Sequence, residues 1–560
     1  MPNSQAPAPA EPATPSRRTF LTGAIAVAAI TAGGPLFTAC SSSKSTSNKG
    51  SVATGDALKK VLPAYVPSTL VAPDVPGVNG SSPGFTKLPD PLVVSVKAKP
   101  GKGSTFKAMT PIWGTVPKKD NAYYKAVDEA LGATVEFDPL DGTTYQEKIG
   151  AVLASSGIPD LVTIPGWNMQ GQIRNAIENR FADLGPYLSG DAVKKYPNLA
   201  AIPTGAWQMA VFGGKLRGLP NSGGVLGNAI FYRKDLVDAA GVALPKTADE
   251  IVSFGKSVTD AKNKRWAFDD LWTCIQKLYG VLPDAPHYWQ LKDGKLVHKI
   301  ETQEYREALA FARKLHDQKL VHPDADAGKD GDAKIRFTSG QTVMYQDGTG
   351  GWYGMVSEQS KQNPKFDMQA LDYFAADGGT PLLWQDDQAG IFSFLNKNLP
   401  KEKIEELLAI ADYAAAPFGS KEFQLVNYGV EGTHYHLKDG APAFTDQGVQ
   451  EAQPATLYFL AAPPPSIAHP DQPQMVKDYA GWMARQAPHL KKPMFYGMQV
   501  VEPTRYASLY TGFDDLQKDI RRGRKPVSAV EDAVSTWKKS GGEQLRAFYQ
   551  DILDKNGSGA

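Results

Sequence analysis

Strand-like and helix-like segments alternate between residues 106 and 164, and this alternation limits the fold more than any other feature of the chain. The predicted strands are 106–113, 133–137 and 159–164, and the predicted helices between them are 121–131 and 144–157. The order strand, helix, strand, helix, strand predicts a parallel sheet with right-handed crossovers, so the fold class is α/β.

Aromatic and amide side chains follow two of these predicted strands. Trp113 comes after the first strand, and Trp167 and Asn168 come after the third. Ligands of parallel sheets bind beyond the carboxyl ends of the strands, so these three residues are candidate ligand contacts. A single Trp after a strand is also common as a packed anchor of a loop, and that alternative stays open for each indole.

The charge balance and the cysteine count exclude several classes of function. With 60 Lys and Arg against 59 Asp and Glu, the chain lacks the net positive charge of a protein that binds nucleic acid through a large basic face. Its two cysteines, Cys40 and Cys274, are too few for a disulfide framework, a four-cysteine zinc site or a typical iron–sulfur site. Cys274 lies in an apolar stretch and is interpreted as a core residue. No cofactor and no metal site are predicted.

The first forty residues have the pattern of an export signal. Residues 16–21, Ser-Arg-Arg-Thr-Phe-Leu, resemble a twin-arginine motif, and an apolar stretch follows them. Residues 37–40 resemble a lipobox, in which Cys40 would become the lipidated first residue of the mature protein. The alternative is a permanent membrane span, but the apolar run is short, rich in Ala and Gly, and interrupted by a proline.

A second α/β unit begins near residue 227. Its predicted elements are a strand at 228–232, a helix at 233–241, a helix that Thr247 opens, a helix at 303–318 and a strand at 342–345. Thr144 in the first unit and Thr247 in the second each begin a capping-box pattern, with Glu three residues later. An apolar strand at 389–395 follows the second unit.

Four stretches, in order along the chain, resemble the extracellular solute-binding proteins of bacterial ABC importers, the maltose-binding-protein-like family 1 and especially its long lipoprotein branch. They are 218–220 with 229–236, 240–250, 337–345 and 427–435. The resemblance implies a two-lobed, type II periplasmic-binding-protein-like fold with a ligand cleft between the lobes and crossing hinge segments. Closure around the ligand would be a hinge motion.

The resemblance also suggests how the chain is divided. The expected parts are a signal peptide 1–39, a lipidated Cys with a flexible tether 40–55, a Pro/Gly-rich extended arm 56–105, lobe one at 106–226 and 386–445, lobe two at 227–385 and 446–520, and C-terminal amphipathic helices 521–560. The arm is expected to lie on the first lobe.

A cleft of this kind should take side chains from both lobes, because apolar ring faces pack on sugar C–H groups while amides and carboxylates bind hydroxyls. The candidates from the second lobe and the crossings are Asn221, Trp272, Tyr345, Asp347, Trp352, Trp384, Asp386 and Asp387. Three of these have a structural alternative: Trp272 as a core residue, Trp352 as a packing anchor and Asp347 as part of a turn.

The implied function is a lipid-anchored substrate-binding subunit on the outer face of the cytoplasmic membrane. It would be a monomer that passes a sugar or oligosaccharide to permease subunits, with an ATPase on another chain. The alternatives left open are an extracellular carbohydrate-active enzyme, a binding protein for a peptide or another polar solute, and an adhesive lipoprotein.

Two features argue against particular versions of these functions. Asp386 and Asp387 are a poor acid–base pair, because adjacent side chains of an extended segment point to opposite faces. The chain is therefore predicted not to be an enzyme. Long oligosaccharide-binding relatives often carry a calcium loop, but 259–266 lacks the glycine and the final acid that such a loop needs, so no calcium is predicted there.

Overall fold

The computed structural model of the chain describes residues 55–113, 116, 118–155, 157–169, 172–452, 454–458 and 460–559. The predicted signal peptide, the lipidation site Cys40 and the tether up to residue 54 lie outside the described residues. Among the helices in the described part of the chain, none is both long and apolar enough to cross a membrane.

The first lobe is built on a five-stranded sheet. Its strands, in spatial order, are Thr134–Asp141, Thr105–Ile112, Leu161–Pro165, Ala389–Leu395 and Gly218–Ser222. The first three are parallel, which confirms the arrangement that the alternating pattern predicts. Ala389–Leu395 runs antiparallel to both of its neighbours. Three strands that run in the same direction therefore have their carboxyl ends at one edge of the sheet: Thr105–Ile112, Leu161–Pro165 and Gly218–Ser222.

Helices cover this sheet and are started by local caps. The longer ones are Ala122–Leu131, Tyr145–Ala154, Gln172–Arg180, Thr204–Met209, Lys401–Ala414 and Lys421–Tyr428. The Asn121 side chain accepts a hydrogen bond from the Tyr124 N–H at 2.9 Å and caps the first helix. The predicted cap at Thr144 is wrong. Its backbone, at φ −109° and ψ 4°, is not extended, and its side chain makes no capping bond.

The second lobe is built on a four-stranded sheet. Its strands, in spatial order, are Met368–Ala370, Asn228–Arg233, Thr342–Gly348 and Trp266–Phe268. Its longer helices are Lys234–Ala240, Ala248–Val258, Trp272–Leu278, Gln303–Asp317, Trp352–Gln362, Pro473–Gln486, Thr511–Arg521, Ala529–Trp537 and Glu543–Asn556. The predicted cap at Thr247 is confirmed, because its hydroxyl accepts from the Glu250 N–H at 3.1 Å.

Each lobe has its own apolar core, and the membership of the two cores shows where the chain crosses from one lobe to the other. Residues up to Leu219 and from Ala389 to Ala461 contribute to the first core. Residues from Val225 to Leu383 and again from Ile467 contribute to the second. The three crossings therefore fall near 220–224, 384–388 and 462–466.

Two domain boundaries differ from those expected. The last crossing lies later than residue 446, because the short helix Pro454–Tyr458 buries Leu457 in the first core. The C-terminal helices are not a separate unit, since Trp537, Leu545 and Tyr549 are buried in the second core. The second lobe therefore depends on the last turns of the chain.

The Pro/Gly-rich arm lies on the first lobe, as expected, and it also contacts the second lobe. It begins with the helix Gly55–Val61, and Leu62 joins the first core. Its two-residue strand Gly84–Phe85 pairs in parallel with Ile467–Ala468, where the chain re-enters the second lobe.

Candidate binding cleft

A cavity of about 400 Å³ lies where the two lobes and their crossings meet. The first lobe contributes Asn221 and Ser222, from the end of an edge strand, and Tyr458. The second lobe contributes Thr349 and Tyr353, at the start of the helix Trp352–Gln362. Because both lobes line it, this cavity is the candidate ligand cleft.

An aromatic stack stands on the second-lobe side of this cavity. The rings of Tyr353 and His469 are parallel within 8°, with centroids 3.7 Å apart. The Tyr353 hydroxyl donates to the Asp471 carboxylate at 2.8 Å, which fixes the orientation of its ring. Burial lowers the pKa of His469 to about 4, so its imidazole is neutral at neutral pH. The wall is therefore flat, uncharged and pre-oriented.

The polar part of the cleft comes from the end of the strand Gly218–Ser222. The Asn221 amide donates to the Tyr458 carbonyl at 3.4 Å, and the Ser222 hydroxyl donates to the Pro463 carbonyl at 3.3 Å. These bonds tie the strand end to the third crossing. Asn221 lines the cavity as the sequence analysis suggested.

Two exposed indoles stand on the edge of the first sheet where its strands end. Trp113 is 48% exposed and Trp167 is 56% exposed, and their ring centroids are 6.0 Å apart at an angle of 53°. Thr105–Ile112 and Leu161–Pro165 are adjacent and parallel, which explains why residues far apart in sequence meet. The Trp113 ring lies against Gly142, where the close approach leaves no room for a side chain.

The third candidate of this edge differs from the two indoles. Asn168 is only 4% exposed, at the end of the short turn Gly166–Asn168. The edge therefore presents Trp167 and buries the residue beside it. Strand Gly218–Ser222 ends at the same edge, so Asn221 and the indole pair share one side of the first lobe.

Three second-lobe candidates are core residues, contrary to the expectation that they bind ligand. Trp272 packs edge-on to Tyr305, with the Arg521 guanidinium 5.1 Å from its ring centre. Tyr345 stacks on Phe337 at 4.2 Å. Trp352 is 1% exposed. Each side chain faces inward from its helix or strand.

The Asp347 carboxylate is used inside its own loop. It accepts from the Tyr345 hydroxyl at 2.9 Å and from the Gly348 N–H at 2.7 Å. The turn alternative thus accounts for its position. Asp347 does not line the cavity between the lobes.

The candidates on the second crossing are not among the residues that line the cleft cavity, and each has a structural partner. Trp384 lines a separate cavity of about 700 Å³ in the second lobe, and its indole donates to the Gly280 carbonyl at 2.9 Å. Asp386 accepts from the Gly227 N–H at 2.7 Å, which joins two crossings. Asp387 contacts His287 at 2.7 Å.

Sequence reasoning missed the rings that do line the cleft: Tyr353, Tyr458, His469 and Tyr479. Tyr353 follows Trp352 directly. The sequence therefore indicated the correct helix, but the side chain that lines the cleft is on a different face of that helix from Trp352. The signal that was available is Pro463-Pro464-Pro465, a rigid crossing segment with Tyr458 and His469 close to its two ends.

Comparison with known proteins places the chain among binding proteins. The family described as "Bacterial extracellular solute-binding protein" matches residues 114–453. Lipoprotein LipO of Bacillus subtilis (strain 168) is 22% identical over 478 residues, covering 80% of this chain and 91% of LipO. The polygalacturonan/rhamnogalacturonan-binding protein YtcQ of the same strain is 22% identical over 479 residues, covering 82% of this chain and 93% of YtcQ.

Solved structures with similar folds are available for comparison. The crystal structure of the N-glycan transport solute binding protein NgtS from Streptococcus pneumoniae matches with a TM-score of 0.58 and 15% identity, covering 81% of this chain and 99% of that chain. At this identity the likeness concerns the fold. It confirms the two-lobed, type II periplasmic-binding-protein-like α/β architecture that the sequence predicted.

Proposed function

This chain belongs to the bacterial extracellular solute-binding proteins, and from that premise we propose that it captures a saccharide between its lobes for an ABC importer. The observation that carries the proposal is the cleft itself, with rings on both walls and an exposed indole pair on the same edge of the first lobe. Ring faces pack on the C–H faces of sugars, and the Asn221 amide is suited to a hydroxyl.

The charge of the cleft favours a neutral saccharide. Among the described residues that line the cavity there is no Lys and no Arg, and the one His has a pKa of about 4. A uronic-acid oligomer would bring carboxylates into this site with no cation to pair with them, at a considerable desolvation cost. We therefore expect a neutral oligosaccharide to bind better than an acidic one, in contrast to the acidic polymer in the name of YtcQ.

The predicted leader supplies the location. With Cys40 lipidated, the protein would sit on the outer face of the cytoplasmic membrane as a monomer and would reach permease subunits there. Relatives at similar coverage include a protein named as a lipoprotein, which supports this part of the proposal. Energy for transport would come from an ATPase on another chain.

The proposal is tested by a ligand screen of the mature protein without its lipid. Neutral di- to hexasaccharides, oligogalacturonides and short peptides are compared by thermal shift and then by calorimetry. We expect stabilisation by neutral oligosaccharides that grows with ligand concentration above Kd. Stabilisation by peptides alone, or by none of the three sets, would contradict the proposal.

The same mixtures distinguish a binding protein from an enzyme. After overnight incubation, the saccharide that stabilises the protein is analysed by chromatography. A binding protein returns the ligand with its chain length unchanged. Shortened products would instead favour the extracellular carbohydrate-active enzyme.

A further inference from the structure

The N-terminal arm is fastened to the first lobe near its start. Leu62 is buried in the first core, and the Ala64 N–H donates to the Gly190 carbonyl at 3.0 Å. The Val66 N–H donates to the Ala200 carbonyl at 2.8 Å. These main-chain bonds hold an extended segment of the arm against the first lobe.

The arm returns to the first lobe after residue 92. The buried Glu422 carboxylate accepts from the Ser95 N–H at 3.1 Å and from the Val96 N–H at 3.0 Å. The Val93 carbonyl also accepts from the Lys421 N–H at 2.9 Å. A buried carboxylate needs such donors, so these bonds fix the second end of the arm on the first lobe.

Between these two attachments the arm reaches the second lobe. Gly84 lies against the helix Pro473–Gln486, where an added Cβ would be 2.8 Å from the Ala480 Cβ and 3.1 Å from a Val476 methyl group. Only glycine permits this approach without displacement. Val75, which exchanges two main-chain hydrogen bonds with Gly84, packs against the second core.

The same middle segment also takes part in the cleft. Ser82 lines the cavity, and the Pro83 carbonyl accepts from the Ile467 N–H at 2.8 Å. Gly84–Phe85 pairs with Ile467–Ala468, and the next residue, His469, is the one stacked on Tyr353. The arm therefore supports the crossing that carries one ring of the cleft wall.

From these contacts we infer that residues 62–96 form a strap that joins the two lobes across the cleft, limits their opening and positions His469. The middle of the segment contacts the second lobe through Gly84 and Val75, while Phe85 beside them also packs on Phe418 of the first lobe. Separation of the lobes would therefore strain or break the contacts of Gly84 and Val75. The strap passes from the first lobe to the second and back, and all its contacts with the second lobe are non-covalent, unlike the three crossings. Its effect on ligand affinity rests on the proposed function, whereas its effect on lobe opening does not.

The first test displaces the strap with one side chain. Gly84→Val places methyl groups against Ala480, and Gly157→Val is the matched control, since a Cβ at Gly157 meets no atom within 4 Å. Spin labels on Lys148→Cys and Lys256→Cys, one exposed position in each lobe, report the interlobe distance by pulsed electron resonance in the full chain with Cys40→Ser. We expect Gly84→Val alone to lengthen and broaden that distance in the absence of ligand.

A second test covers the case in which Gly84→Val does not fold. Protease recognition sequences are inserted at the exposed residues Ser68 and Lys87 of the folded protein, and a control sequence at the exposed turn Asp293–Gly294. Cutting at both sites in the arm separates the middle of the strap, between Ser68 and Lys87, from the chain on either side. We expect a broader interlobe distance and about tenfold weaker binding of the saccharide found in the ligand screen, with neither change after the control cut.

The outcomes separate the strap from the proposed function. Unchanged distances in both the Gly84→Val protein and the twice-cut protein would overturn the strap, even if a saccharide binds. Changed distances with no saccharide bound by any form would support the strap and contradict the proposed ligand. Changed distances with unchanged affinity would overturn the positioning of His469 alone.

Discussion

The two lobes place their tryptophans differently: the exposed pair belongs to the first lobe, although Trp207 of that lobe is buried in its core. In the first lobe, Trp113 and Trp167 are about half exposed at the edge of the sheet. In the second lobe, the residues Trp272, Trp289, Trp352, Trp482 and Trp537 are all less than 9% exposed and belong to one core. The place of an aromatic residue in its element therefore decides its role, because residues beyond strand ends have no covering layer.

This difference also indicates which side chains each lobe contributes to the walls of the cleft. Most indoles of the second lobe are buried in its core. Its contribution to the cleft is therefore smaller rings, chiefly Tyr353 and His469. The first lobe offers wide indole faces at its edge. Substitution of the exposed first-lobe indoles should therefore weaken binding, and substitution of the buried second-lobe indoles should lower stability.

The largest effect is expected from Trp272→Ala in the second lobe. Removing a buried indole leaves a cavity and should lower the free energy of unfolding by about 3 kcal/mol. Urea denaturation measures the change, and calorimetry of the folded fraction should give an unaltered Kd for saccharide. Weaker binding with full stability would instead make Trp272 a ligand contact.

The counterpart in the first lobe is Trp167→Ala. Its ring is exposed, so the unliganded melting temperature should barely change, while saccharide binding should weaken by about 2 kcal/mol, roughly thirtyfold. Trp207→Ala, at a buried position of the same lobe, is the control and should lose stability instead. A large fall in stability for Trp167→Ala would place that indole among the structural ones.

The free-energy cost of burying a carboxylate in the first lobe can be tested with Asp412→Asn. Burial raises the pKa of Asp412 to about 7, while its carboxylate accepts from the Asn198 and Leu199 N–H groups. A carboxyl whose pKa is raised on folding loses stability as pH rises from about 4 to 7. We expect Asp412→Asn to stabilise the protein by about 2 kcal/mol at pH 8, with no gain at pH 4.

A gain that persists at pH 4 would contradict the role of the charge. Because Asp412 belongs to the first core only, a thermal scan with two transitions should show the shift in one of them. A single transition that shifts as a whole would mean that the lobes unfold together, and the contrast between them would then concern the site alone.

A smaller effect is expected from His469 on the second-lobe side of the cleft. Its folded pKa of about 4 lies below the usual value of 6.5, so the unfolded chain takes up the proton first. The free energy of unfolding should therefore fall by about 1 kcal/mol between pH 6.5 and 4. His469→Phe should remove that part of the pH dependence, and an unchanged pH profile would show that burial does not lower the pKa of His469.

The smallest effect concerns the thiol of the second core. Cys274 is fully buried, accepts from the Tyr373 hydroxyl at 3.1 Å and has a pKa raised by burial to about 11. In the Cys40→Ser protein, a thiol reagent at pH 8 should give almost no product until denaturant is added. Rapid reaction of the folded protein would indicate that this core opens far more readily than its packing suggests.

Local pattern was sufficient for the order of the parallel strands of the first sheet, but it did not indicate the strand Gly218–Ser222 and ended the strand Thr134–Asp141 four residues too early. Strand and helix periodicity placed Thr105–Ile112 and Leu161–Pro165 within two residues of their observed bounds, and the parallel order put Trp113 and Trp167 side by side. These features depend on short-range preferences and on the handedness of crossovers, which sequence carries directly.

The second wall of the cleft could not be predicted in the same way. Trp352 and Tyr353 are neighbours on one helix, and a turn of about 100° between them sends one ring to the core and the other to the cleft. The rotation of that helix is set by packing on Tyr479 and Phe231, which lie more than a hundred residues away in the chain. The strap escaped prediction for the same reason, since Gly84 meets Ile467 only after both lobes have formed.

The interleaved cores also set an order of assembly during synthesis. The first core is complete once Ala461 has left the ribosome, whereas the second still lacks side chains as late as Ile552. A nascent chain therefore carries one finished half and one with a gap where Trp537 and Tyr549 belong. The incomplete second core exposes apolar surface until translation ends. A chaperone that shields this surface would therefore act mainly while the last hundred codons are translated.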